Sequence, residues 1–260
     1  MLTETQRQAA VDAILEAERS RVPCVQPSKQ WPDMELEDAY DVQRRWAEAR
    51  IAAGAKIVGR KIGLTSRAMQ MASKMTEPDY GVILDDQLYK DGAQIAAGTF
   101  IKPRLETELA FVMGDDLSGE GCQLHDVLRA TEFVQPALEI IDYRTEVPRA
   151  IVDTIADNAA YGAIVMGGRI FRPFDEDLRW ISGTLSKNGV IEESGVSAAI
   201  MGHPAAGIAW LVNKLAPLGG GLKKGDIVLC GSFTRPVDVA SGDVIFADYG
   251  PFGSIGVSFQ

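Results

Sequence analysis

The run Arg104-Leu105-Glu106-Thr107-Glu108-Leu109-Ala110-Phe111-Val112 alternates with period two, which predicts a strand carrying Glu106 and Glu108 on the same face. Two strand rises put their Cα atoms about 6.6–6.8 Å apart, close enough for both carboxylates to converge on one hard cation. Glu-x-Glu is also what a solvated strand face looks like, so a second segment is needed to decide. In Ala137-Leu138-Glu139-Ile140-Ile141 a lone glutamate interrupts an apolar run, predicting a strand buried on both faces. A buried carboxylate must be neutralised, paired with a cation or bound to a metal. Glu106, Glu108 and Glu139 together supply the oxygen ligands that Mg²⁺ or Mn²⁺ accepts, with coordination positions left for water and a chelating substrate.

Other residues could complete such a site. Lys61 lies in Ile57-Val58-Gly59-Arg60-Lys61-Ile62-Gly63, where alternation sets Gly59 and Gly63 on the lysine's own face and predicts open space around the ammonium; a lysine exposed on an edge strand fits the segment equally well. Asp79, in Glu77-Pro78-Asp79-Tyr80-Gly81, is either a turn former or a site residue. Asp157 and Asn158, with Asp153 nearby, either cap a helix or contact substrate. His203 precedes Pro204 and reads as a cap residue. There is no phosphate-binding glycine loop, no Gly-x-Ser-x-Gly and no histidine cluster, so nucleotide, serine-hydrolase and zinc chemistries have no support.

These residues need a scaffold. The 260 residues are 46% hydrophobic, enough for one large core, and 26 Lys+Arg against 36 Asp+Glu give a net charge of −10, which opposes nucleic acid and anionic membranes as partners. With no signal-like or spanning apolar stretch, a cytoplasmic protein is expected. Three scattered cysteines suggest neither a disulfide framework nor a metal site. Residues 1–55 are expected to form a helical region: Thr3 and Gln6 make a capping box, Leu36, Ala39, Tyr40, Ala47 and Ile51 form a stripe, and the three prolines of Val22–Pro32 exclude a regular element between the helices. Residues 56–260 read as a mostly antiparallel or mixed β core interrupted by helices near Leu124–Thr131 and Pro204–Leu215, with Asn188-Gly189 as a hairpin turn. The class is α+β.

The runs Gly59-Arg60-Lys61-Ile62-Gly63-Leu64-Thr65-Ser66, Glu77-Pro78-Asp79-Tyr80-Gly81, Pro103-Arg104-Leu105-Glu106-Thr107-Glu108, Pro136-Ala137-Leu138-Glu139 and Ala156-Asp157-Asn158-Ala159 together resemble the hydratase and decarboxylase branch of the fumarylacetoacetate hydrolase superfamily. The resemblance implies a mixed β-roll, a Mg²⁺ or Mn²⁺ site at Glu106, Glu108 and Glu139, Lys61 beside a small 2-oxo acid substrate, and a homo-oligomer. Gly231-Ser232-Phe233-Thr234-Arg235-Pro236-Val237 and Asp248-Tyr249-Gly250 look most like the members that hydrate a seven-carbon unsaturated 2-oxo diacid in aromatic ring catabolism; five-carbon dienoate hydratases and oxalocrotonate decarboxylases are the alternatives, with acylpyruvate-type hydrolases further off. Three carboxylates and one divalent ion leave about one negative charge, and a dianionic substrate adds two, so cations are required. Arg235 is the expected partner of the distal carboxylate, with Arg67, Lys102 and Arg104 as other candidates.

Overall fold

The structure, a computed structural model, describes residues 1–260. Helix Glu4–Ser20 starts at the expected capping box, with Gln6 N donating to Thr3 Oγ1 at 3.3 Å and Thr3 N to Gln6 Oε1 at 2.8 Å. Helix Leu36–Ala52 is started by Asp38, whose buried carboxylate accepts the backbone N–H groups of Leu2 and Glu35 at 3.0 and 3.1 Å and the Arg7 guanidinium at 2.8 Å. Between them, Pro27 begins a one-turn helix, Pro27–Gln30, because the first helical position needs no N–H donor; three prolines therefore do not exclude a regular element here. Ala10, Val11 and Ile14 pack with Ala39, Val42 and Trp46, in a cluster that continues into Val82, Leu84, Ile155 and Ala156. The helical region is thereby seated on the sheet.

That sheet has eight strands, and its order explains where the charged residues go. Ile57–Gly63 lies between Asp79–Leu84, antiparallel to it, and Ile227–Leu229, parallel to it. Lys61 is therefore on an interior strand and not at an edge. Next come the two longest strands, Arg104–Met113 and Thr131–Ile141, antiparallel, followed by Tyr161–Met166 and the short Leu88–Lys90. Helix Pro204–Leu215 has the expected bounds, and His203 Nδ1 accepts Ala205 N at 3.1 Å as its cap. Ile208, Leu211, Val212 and Leu215 of this helix join the largest apolar cluster.

A five-stranded sheet stands against the first and supplies the site's outer wall. Its hairpin, Ser182–Lys187 with Val190–Val196, turns at Asn188-Gly189 as expected and pairs Gly183 with Gly195. These two glycines make the seat of Phe233. A Cβ at Gly195 would stand 1.6 Å from Phe233 O, and one at Gly183 would stand 2.8 Å from the edge of the Phe233 ring. Phe233 belongs to an irregular run, Cys230–Pro236, tied to the Glu106–Glu108 strand: Thr107 N donates to Thr234 Oγ1 at 3.0 Å, and Phe233 N to Thr107 O at 3.3 Å. Gly195→Ala should therefore push this run out of place and destabilise the fold by roughly 1–3 kcal/mol, with a visibly smaller loss for Gly183→Ala, whose only obstacle is a ring that can tilt. Thermal melts of the two variants check the order, and equal melting temperatures would contradict it.

Candidate active site and metal centre

Antiparallel register places Glu106 directly opposite Glu139, with Glu108 two residues along the same strand. Carboxylate oxygens of all three lie within 4.8 Å of one another. Glu108 and Glu139 are buried, and Glu106 is half-buried. Three like charges at this spacing in low dielectric cannot all stay ionised without compensation. Burial and the Glu139 charge push the Glu106 carboxyl up to about 8, against the pull of Lys61 and Arg104. The same causes push Glu108 well above the ordinary carboxylate range, although Gly231 N donates to its Oε2 at 2.9 Å. Glu139 Oε1 is buried and accepts no hydrogen bond, and Lys61 Nζ, at 3.1 Å, is its ionic partner. An all-oxygen, all-anionic set with an unsatisfied lone pair fits a hard divalent cation.

Lys61 reaches the cluster from the neighbouring part of the sheet, and its side chain is almost completely buried. Burial opposes its charge, but Glu139, Asp79, Glu108 and Glu106 outweigh burial and hold the ammonium above its usual range. Its other partner is Ala159 O at 3.0 Å. That carbonyl is delivered by three consecutive left-handed residues, Asn158, Ala159 and Ala160, with φ of 50°, 50° and 61°. Non-glycine residues pay roughly 1–2 kcal/mol each for this conformation, so the turn is held by its surroundings. The glycines flanking Lys61 do not leave the expected open space. A Cβ at Gly63 would lie 2.2 Å from Asp79 Oδ1, and one at Gly59 would lie 1.9 Å from Ile227 O, so the room is taken by the Asp79 carboxyl and by a neighbouring strand. Asp79 is buried on the Lys61 side of the cavity; burial raises its pKa, the Lys61 charge opposes that, and the Glu139 charge adds to it.

Around these groups is a cavity of about 670 Å³, lined among others by Lys61, Asp79, Arg104, the three glutamates, Tyr143, Arg149 and Arg235. Several residues expected at the substrate are committed elsewhere. The Asn158 side chain bonds Val82 N and Val82 O at 2.8 and 2.9 Å, and Asp157 is buried beneath Arg144 and Arg149. Neither side chain lines the cavity, because both are consumed in shaping the turn that presents Ala159 O. Arg67 begins helix Arg67–Ala72 and lies outside the lining, although Ser66, Ala68 and Met69 belong to it. Lys102 is also outside. Arg235 does line the cavity, but its side chain is 81% exposed and paired with Glu193 at 2.7 Å; it is a rim residue with its charge already matched. Arg104 is matched in turn by Asp238 at 2.8 Å. Tyr143, Arg149 and Glu193 are lining residues that the sequence reading passes over. Tyr143 follows the Glu139 strand by two residues, so the chain leaving that strand was bound to pass the site.

Known proteins share this sequence pattern and this fold. The fumarylacetoacetate (FAA) hydrolase C-terminal family model matches residues 53–259. The chain is 50% identical over 251 residues, 94% of each sequence, to the 2-oxo-hept-4-ene-1,7-dioate hydratase of Escherichia coli, and 36% identical over 259 residues, 99% of this chain and 98% of the relative, to the 4-oxalocrotonate decarboxylase of Pseudomonas sp. (strain CF600). Among solved structures, the 4-oxalocrotonate decarboxylase of Pseudomonas putida G7 complexed with magnesium and adipate superposes with a TM-score of 0.96 at 35% identity, over 100% of this chain and 99% of that one. With its glutamate trio, its buried lysine and a match over nearly its whole length, the chain belongs to the fumarylacetoacetate hydrolase family.

Proposed function

We propose that the protein is a divalent-metal-dependent hydratase that adds water to C4 of 2-oxohept-3-ene-1,7-dioate, formed from its 2-hydroxy-2,4-diene tautomer, to give 4-hydroxy-2-oxoheptanedioate in the meta-cleavage catabolism of homoprotocatechuate. The observation that carries this reading is the 50% identity to the seven-carbon diacid hydratase, sustained over 94% of both chains. A cavity of about 670 Å³ is of the size that encloses a small acid. The match of the hydrolase family model to 53–259 supports a division into a helical region, 1–55, and a catalytic domain, 56–260. The reading includes a cytoplasmic homo-oligomer; no helix is long and apolar enough to cross a membrane, and Ile191 and Phe246, both exposed on the five-stranded sheet, support contact between copies.

In this reading Glu106, Glu108 and Glu139 hold Mg²⁺ or Mn²⁺, and a cation bound there supplies Lewis-acid polarisation of the substrate's 2-oxo group. The chain's own residues handle protons. Hydration places a hydroxyl on C4 and a hydrogen on C3, so one proton must leave water and one must reach carbon. Lys61, kept charged by four carboxylates, holds its proton at Nζ and stabilises negative charge developing on the substrate. Asp79, raised in pKa and lining the cavity, is the group able to take a proton and return it. A decarboxylase is the second reading, favoured by the superposition on the Pseudomonas putida G7 enzyme. Ultraviolet monitoring of purified protein with five- and seven-carbon 2-hydroxydienoates and with the oxalocrotonate, followed by product mass and CO₂ release, tests both. Loss of CO₂ without water addition would overturn the hydratase reading.

Chelation should abolish turnover, and Glu139→Gln should lower kcat/KM about 100-fold or more by removing an anionic ligand. Full activity after exhaustive chelation would contradict this. Lys61→Met should lower kcat of the Mg²⁺-loaded protein, since the ammonium faces the cavity, and should also lower the metal-free melting temperature, because Glu139 loses its buried cation; unchanged turnover at saturating substrate would count against it.

The raised pKa of Glu106 also sets a pH dependence. Its carboxyl is pushed up to about 8 in the folded, metal-free protein, against about 4.3 for an unperturbed glutamate, so the folded state holds the proton longer and stability falls as pH rises through that window. The metal-free melting temperature should therefore drop between pH 5 and pH 8, with a shallower slope in Glu106→Gln. Added Mg²⁺ should stabilise more strongly at pH 8 than at pH 5, because fewer of the Glu106 carboxyls then hold a proton that the cation must displace. A metal-free slope identical in the wild type and Glu106→Gln would rule this out.

A further inference from the structure

Four cations line the cavity, and their partners set them apart. Arg235 is matched by Glu193, Arg104 by Asp238, and Lys61 by Glu139. Arg149 shares its acid. Asp157 is already bonded to Arg144 at both oxygens, through Arg144 Nε to Oδ1 and Arg144 N to Oδ2 at 2.9 Å. Arg149 adds one longer bond, Nη1 to Oδ2 at 3.3 Å, which leaves most of its five N–H donors unused. Glu18 and Asp142 also act on Arg144, so what negative charge there is on that side favours Arg144 over Arg149. Yet the Arg149 side chain is only 10% exposed, and its guanidinium lies 3.6 Å from the centroid of the Tyr143 ring. Burial holds its pKa below the usual arginine range, with Asp157 only partly offsetting that cost.

Position agrees with chemistry. Lys61 lies 3.1 Å from Glu139, whereas Arg149 lines the same cavity with Asp157 as its acid and no ion pair to any of the three glutamates, so its guanidinium stands apart from the carboxylate cluster. Tyr143 touches both arginines: its hydroxyl accepts Arg104 Nη1 at 3.2 Å while its ring carries Arg149. Stacking fixes the plane of the guanidinium and so prepares its fork for a planar, two-oxygen anion.

We propose that Arg149, stacked on Tyr143 and anchored by Asp157, is the residue that binds the second carboxylate of a dicarboxylate substrate. Asp157 is then a positioning residue, acting through Arg149. This rests on the diacid hydratase reading for the identity of the substrate, but not for the binding of a diacid.

The test compares Arg149→Met, Arg149→Lys and Arg235→Leu in the Mg²⁺-loaded protein. The observable is the ratio of kcat/KM for the seven-carbon dienedioate to that for the five-carbon dienoate. Arg149→Met should lower this ratio about 30-fold or more, Arg149→Lys should restore part of it, and Arg235→Leu should change it by less than about 5-fold because Glu193 already holds that charge. A second readout needs no turnover: adipate should raise the wild-type melting temperature more than hexanoate does, and Arg149→Met should remove the difference. An Arg149→Met ratio equal to wild type, a ratio controlled by Arg235, or equal shifts by adipate and hexanoate in the wild type would each overturn the proposal. If the wild type turns over neither dienoate yet distinguishes adipate from hexanoate through Arg149, the hydratase reading fails and this one stands.

Discussion

The structure turns on one electrostatic constraint, the burial of three carboxylates at the crossing of two neighbouring strands. Glu106 and Glu139 face each other because Arg104 pairs with Ile141, and a slip of one residue in either strand would send its glutamate to the opposite face of the sheet from the other. What surrounds the trio either sets that register or offsets its charge. Strands of ten and eleven residues give the pair a long ladder, and the run Cys230–Pro236 fastens its outer end through Thr234 and Gly231. Lys61 comes from a strand on the far side of Ile227–Leu229, so the compensating charge depends on the order of the whole sheet.

Much of this was legible in the sequence, for identifiable reasons. Ile57–Gly63 and Pro204–Leu215 have the bounds that periodicity gives, because each is long, regular and closed by glycine or proline chemistry. Glu139 stood out because a charge within an apolar run violates its surroundings. The short strands Leu88–Lys90 and Ala93–Ile95 did not, since three residues hold less than two periods of alternation. Strand Val190–Val196 hid behind its own turn: Val190 and Ile191 are both exposed, so no inward-outward pattern marks it. The cations show the same limit in another form. A residue type can be read from sequence, but whether its charge is free depends on partners such as Glu193 for Arg235 or Asp157 for Arg149, which the fold alone brings together.

The turn Asn158–Ala160 is a different kind of investment. Three left-handed non-glycine residues in a row are costly, and they are retained where one carbonyl must point at the Lys61 ammonium. Asp157 and Asn158 bracket that turn from below, the first through Arg144 and the second through Val82. Polar residues that looked like substrate contacts are thus one layer removed from the cavity, fixing the backbone on which the lysine rests.

Asn158 has one more effect, on how the molecule behaves toward other chains. Asp79–Leu84 is the terminal strand of the eight-stranded sheet, and an open strand border invites a foreign strand to add on. The Asn158 amide occupies Val82 N and Val82 O together, copying with a side chain the paired bonds of a neighbouring peptide, and Gln43 Nε2 takes Tyr80 O at 2.9 Å. With the helices Leu36–Ala52 and Ile151–Ala156 packed over the same border, the sheet is sealed there against growth, and the residue that shapes the turn also guards the protein from aggregation.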